Sequence, residues 1–141
     1  MQEEQVITQH KLTGGCLCGA IRYCIDGEPF DADYCHCRLC QQQTGAPVSA
    51  WMDFKVGQVQ WLEGQVKEFA SSDTVRRGFC AECGSTLTFR HTEYPDYLTL
   101  SIASLDNPES VSPNYHIYTS SALDWHRIED SLPRYVKGRS D

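Results

Sequence analysis

Eight cysteines stand in this chain, and their spacing is the feature that could do chemistry. Cys35-His36-Cys37-Arg38-Leu39-Cys40 places three thiols within six residues. Three thiols so close cannot all pair with one another as disulfides, whereas a zinc ion takes thiolates readily. A zinc with three protein ligands keeps a fourth position for water or substrate, and a zinc with four thiolates is closed and structural. Two further pairs, Cys16/Cys18 and Cys80/Cys83, make up a set of four. The pattern predicts two zinc ions per chain, one closed and holding the fold, one open and doing chemistry. In a rival grouping Cys80 and Cys83 share the CxCxxC cluster, which gives less usual ligand counts.

Disulfides are the competing use of eight cysteines, an even number that would suit a short secreted domain. Sulfurs two residues apart rarely reach the narrow geometry of a disulfide. Residues 1–12 are polar and acidic with no apolar run, unlike a secretory leader. A cytoplasmic, reducing location is expected, where clustered cysteines are more often metal ligands than bridges. No stretch approaches the roughly 20 apolar residues that span a bilayer, so no membrane partner is expected. The formal net charge of -7 and pI near 5.1 speak against nucleic acid as a partner.

The elements that must position these thiols read as short strands. With 141 residues, 40% of them hydrophobic, and a mean hydropathy of -0.45, the chain has the profile of one soluble globular domain. Residues 1–13 read as a lead-in and 14–141 as a single zinc domain. Glycines flank Cys16 and Cys18, which let the backbone turn tightly beside a metal. Strands are expected at 20–25, 30–34, 48–54, 59–62, 66–69, 74–79, 86–89, 97–102 and 115–118, from alternation and from β-branched and aromatic content. Gln41-Gln42-Gln43 allows a short helical turn, stopped by Gly45 and Pro47. Gly78-Phe79-Cys80-Ala81-Glu82-Cys83-Gly84 is a zinc knuckle, two thiols gripping one ion on a tight turn. The whole is mainly β with only short helical turns.

Spacing alone does not decide whether the second zinc is open. A distant donor such as His36 or His116 would close it. His36, flanked by Cys35 and Cys37, points the other way on an extended segment, which makes it a wall or surface residue. His10, His91, His116 and His126 carry no ligand spacing and read as surface or packing residues. Cys24 is the leftover thiol and reads as core filler.

These motifs together resemble the glutathione-dependent formaldehyde-activating enzyme family, whose domain is shared with centromere protein V. Gly14-Gly15-Cys16-Leu17-Cys18-Gly19 looks like its opening, and Cys35-His36-Cys37-Arg38-Leu39-Cys40 like its catalytic cluster. Phe79-Cys80-Ala81-Glu82-Cys83-Gly84 resembles its knuckle, and His116-Ile117-Tyr118 with Leu132-Pro133-Arg134-Tyr135 its tail. The resemblance implies a zinc-pinned β-tent fold similar to methionine-R-sulfoxide reductases. It implies structural zinc on Cys16, Cys18, Cys80 and Cys83, and catalytic zinc on Cys35, Cys37 and Cys40, with no acid or base assigned. The implied reaction is that of a carbon–sulfur lyase, adding glutathione to formaldehyde to give S-(hydroxymethyl)glutathione, or handling a related thiol adduct. The implied partners are a small-molecule thiol and an aldehyde. A non-catalytic zinc scaffold or interaction module is the competing function, since a fold does not dictate activity.

Overall fold

The computed structural model describes residues 11–139. Within them lie β1 (Lys11–Gly15), β2 (Arg22–Asp26), β3 (Asp31–Cys35), α1 (Arg38–Thr44), β4 (Ser49–Lys55), β5 (Val59–Glu63) and β6 (Lys67–Ala70). They continue with β7 (Val75–Phe79), β8 (Thr86–His91), β9 (Tyr97–Ser101) and β10 (Tyr115–Ile117), joined in places by single 3-10 turns. One sheet has three strands in the order β1-β2-β5, and the other has seven in the order β10-β3-β4-β9-β8-β7-β6. All pairings are antiparallel except that of β10 with β3. No helix among the described residues is long and apolar enough to cross a membrane.

Period-two alternation decides which face of each strand is buried where. Met52 and Phe54 of β4, Ala32 of β3 and Leu100 of β9 point to one side of the large sheet. Tyr23 and Ile25 of β2, both fully buried, meet them from the small sheet. The main core is thus the space between the two sheets. The intervening residues, among them Asp33, Trp51, Asp53 and Thr99, are left on the opposite face of the large sheet. That face carries the second thiol cluster.

The strands match the sequence expectation closely, with one addition. Lys11, Leu12 and Thr13, placed in the lead-in from sequence, are the start of β1 and pair with Asp26, Ile25 and Cys24. Five residues ending in two glycines carry too little pattern to announce a strand, and only the partner β2 makes it one. The rest of the lead-in, with His10, lies outside the described residues. Gly14 has a tertiary reason to be glycine: an added Cβ would overlap the Tyr23 hydroxyl and the Ser104 carbonyl oxygen. Cys24 is buried, as core filler should be, with its thiol toward Gln60.

Candidate functional site

The first thiol group forms where the β1–β2 turn meets the β7–β8 turn. Cys16, Cys18, Cys80 and Cys83 place their sulfurs within 4.8 Å of one another. Cys16 and Cys18 sulfurs are 3.6 Å apart, and those of Cys18 and Cys80 3.9 Å. A disulfide needs about 2.05 Å. A tetrahedron with zinc–sulfur bonds of about 2.3 Å needs about 3.8 Å between sulfurs. The donor set therefore fits a zinc ion without rearrangement, and all eight cysteines are free thiols. Both turns aim backbone amides at sulfur: Ile21 donates to Cys16 Sγ at 3.2 Å and Glu82 to Cys80 Sγ at 3.4 Å. Such donors favour the thiolate form that a metal requires. Leu17 N–H donates to Ser85 Oγ at 3.0 Å, so the turns are also tied directly. Ile21, Leu87, Trp61 and Val66 pack around the group.

The second group is Cys35, Cys37 and Cys40. Cys35 ends β3, Cys37 is the N-cap of α1, and Cys40 lies in its first turn. The Cys37 sulfur accepts from Cys40 N–H at 3.3 Å, so the capping bond itself draws the cysteines together. Gly45, with φ of 73°, ends the helix in the left-handed conformation that favours glycine. Cys35 and Cys40 sulfurs stand 3.7 Å apart, again a tetrahedral edge. Among the described residues no histidine nitrogen or carboxylate oxygen joins this trio, while the other group has four members. The two groups do not share ligands, which removes the rival grouping.

Arg77, only 4% exposed, supplies the positive charge beside the trio. Its Nη1 donates to Cys40 Sγ at 3.3 Å, its Nε to Ser71 Oγ at 3.1 Å, and its guanidinium lies over the Phe89 ring. Hydrogen bonds from Cys35 and Cys37, and after them Arg77, hold the Cys40 thiol well below the usual range, against the pull of burial. The shared proton goes the other way at Cys35, whose thiol is pushed up by Cys37 and Cys40 and by its own burial.

The trio forms one wall of a cavity of about 370 Å³ on the outer face of the large sheet. Registers of the sheet build its floor: Asp33 lies opposite Trp51, and Asp53, Thr99, Phe89 and Arg77 follow one another across four strands. Thr99 donates its hydroxyl to Asp53 Oδ1 at 2.6 Å. Asp33 is 7% exposed, and its Oδ1 has no hydrogen-bond partner. Burial, and then the carboxylates of Asp53 and Asp31, push the Asp33 carboxyl up to about 8. At the mouth stands Tyr118, with φ of 56°, its amide held by the Lys137 carbonyl of the tail.

His36 turns away from the trio, as strand alternation requires, but it is not on the surface. It is 5% exposed, with its Nε2 2.9 Å from Nδ1 of His116, which is 1% exposed. His116 Nε2 lies 3.1 Å from Asp130 Oδ2. A carboxylate only accepts, so Nε2 of His116 carries a proton, and in the neutral ring Nδ1 accepts from His36. Burial, and then His116, lower the His36 imidazole from its ordinary value. The chain His36–His116–Asp130 holds the back of the CxCxxC segment to the tail. Sequence reasoning missed Arg77, Asp33 and this chain. Only for Asp33 was there a signal, since in Asp31-Ala32-Asp33-Tyr34-Cys35 it shares a face with Cys35.

Two packed sheets with one four-thiol group and one three-thiol group define a mainly β protein with two places suited to a metal ion. The chain belongs to the glutathione-dependent formaldehyde-activating enzyme family, whose model matches residues 11–121. A Schizosaccharomyces pombe protein described as an uncharacterized lyase is 35% identical over 79 residues, which are 56% of this chain and 57% of that one. The match thus spans little more than half the length of that curated relative. The crystal structure of a Rhodobacter sphaeroides protein aligns with a TM-score of 0.56 at 21% identity, over 70% of this chain and 93% of that one. At that identity the likeness concerns the fold alone.

Proposed function

We propose that the protein is a zinc-dependent carbon–sulfur lyase that adds glutathione to formaldehyde, or handles a closely related thiol–aldehyde adduct. The carrying observation is the three-thiol group, without a fourth ligand among the described residues, set in the wall of a cavity large enough for a small thiol. Family membership supports the same reading. Cys16, Cys18, Cys80 and Cys83 hold a structural zinc, and Cys35, Cys37 and Cys40 hold the zinc that meets substrate. Bound there, zinc lowers the pKa of a thiol and can polarise an aldehyde oxygen.

The residues of the chain do the rest. Arg77 sets positive charge beside the thiol group, in a place where Trp51 and Phe89 pack against the cysteines. A charge–sulfur contact in such a place is worth more than it would be in water. In the reaction a carbon–sulfur bond forms as the carbonyl π pair moves to oxygen. The proton given up by the thiol ends on that oxygen, so nothing is oxidised or reduced.

Titrating zinc-loaded protein with glutathione in a calorimeter, alongside Cys37→Ser, tests the reading. Binding by the wild type that the folded variant loses, with accelerated exchange between glutathione and its hydroxymethyl adduct in NMR, is the expected result. No binding to fully loaded protein would leave a zinc scaffold or an enzyme for another ligand.

A further inference from the structure

The cavity contains one carboxyl group that the reaction above does not use. Three carboxylates lie close together on β3 and β4 of the cavity face. Asp31 accepts from the Tyr115 hydroxyl at 2.7 Å and from Arg139 at 3.2 Å. Asp53 accepts from Thr99. Asp33, the most central of them, has Oδ1 unpartnered although more than nine-tenths of the residue is buried. Among the described residues no Lys or Arg pairs with it: Arg77 is turned to Cys40 and Ser71, and Arg139 to Asp31. Burying a carboxyl oxygen without a partner is costly, and buried polar groups are otherwise almost always satisfied. Asp33 nevertheless lines the cavity beside the thiol trio.

We infer that Asp33 is the specificity residue for the thiol substrate, its carboxylate receiving the α-ammonium group of glutathione. This rests on the function proposed above. Asp33 and Cys35 are two residues apart on one strand face, about 7 Å along the sheet. The γ-glutamyl arm of glutathione, with its methylenes and amide, spans such a separation between ammonium and sulfur. A cationic group is also what the local charge calls for, since Asp53 and Asp31 surround Asp33 and the one buried guanidinium is committed to sulfur. Thiols without an ammonium at that distance would lack this contact to Asp33 and bind less tightly.

The test compares glutathione with its desamino analogue, in which hydrogen replaces the α-ammonium, on zinc-loaded wild type and Asp33→Asn at neutral pH. The wild type is expected to prefer glutathione by at least about tenfold in Kd, the effect of removing one member of a buried charge pair. Asp33→Asn is expected to lose that preference and to bind the analogue nearly as the wild type does. Equal binding of both ligands by the wild type, or full preference kept by Asp33→Asn, overturns the inference and leaves the proposed function standing. Binding of neither ligand by the wild type overturns both. Should Asp33→Asn fail to fold, the carbon chemical shift of the Asp33 carboxyl in the wild type decides. It should move with glutathione and stay with the analogue, and an equal response to both refutes the assignment.

Discussion

A carboxyl group on the cavity face of the large sheet has little water to stabilise its charge, and Asp53 shows the effect without the complication of neighbouring thiols. Burial pushes it up to about 6, with Thr99 opposing and Asp31 adding to the shift. Asp33 also faces it from β3, while Arg90 and His91 of β8 line the adjoining hollow together with Lys55 and Tyr97. A pKa raised on folding means that the native chain holds the proton more tightly than the unfolded one. Stability contributed by Asp53 therefore falls as pH rises from the unfolded value toward the folded one. Asp53→Asn, which keeps an acceptor for Thr99, should stabilise the protein by on the order of 2 kcal/mol more at pH 7.5 than at pH 4.5. Urea unfolding of both proteins at the two pH values measures it, and a difference that does not change with pH would show that Asp53 is not so perturbed.

At the scale of elements, the CxCxxC segment is held from two sides. On one side α1 is capped by Cys37 and ended by Gly45, so that seven residues form a helix with two of the three thiols at its start. On the other side β10 lies parallel to β3 and puts His116 behind His36. A parallel pairing needs a long connection, and here the whole of β4 to β9 intervenes. His116→Ala would leave a buried imidazole at His36 unpartnered and open a void beside Tyr34, which now stacks on His116. A loss of roughly 2–4 kcal/mol is expected. Asp130→Asn, at the more exposed end of the chain and still able to accept, should lose much less. Urea midpoints of the two variants compare them; similar losses would mean that the tail, and not the paired imidazoles, carries the stabilisation.

For the whole molecule the four-thiol group is the larger commitment. It joins the turn between β1 and β2 of the small sheet to the turn between β7 and β8 of the large one. Structural zinc contributes about 10–16 kcal/mol of apparent binding free energy in small zinc peptides. Net stability of an ordinary domain is about 5–15 kcal/mol. Cys80→Ser, or a strong chelator, is therefore expected to abolish cooperative thermal unfolding. Cys37→Ser should keep a cooperative transition and bind one zinc, with two expected for the wild type. Metal analysis and circular dichroism read both outcomes. A folded, cooperative Cys80→Ser protein would show that the apolar core between the sheets suffices.

The cysteine spacings and the strand alternation are local properties, and the sequence determined them by itself. The positions of nine strands, the helical turn after Cys40, the burial of Cys24 and the division of seven thiols into four and three were all legible there. The turn of His36 away from the trio followed from the same period of two. Tertiary structure decided what no short window contains. Strand β1 exists because β2 pairs with it, and Arg77 reaches Cys40 because β8 and β9 set β7 on the same sheet face as β3 and β4. His116 finds His36 across 80 residues of chain. Asp33, whose place beside Cys35 alternation could have given, is left with an unpartnered Oδ1 only by the neighbours the sheet assembles around it. Such contacts join residues far apart in sequence, and their partners are chosen by sheet order and register, which emerge only when the chain has closed on itself.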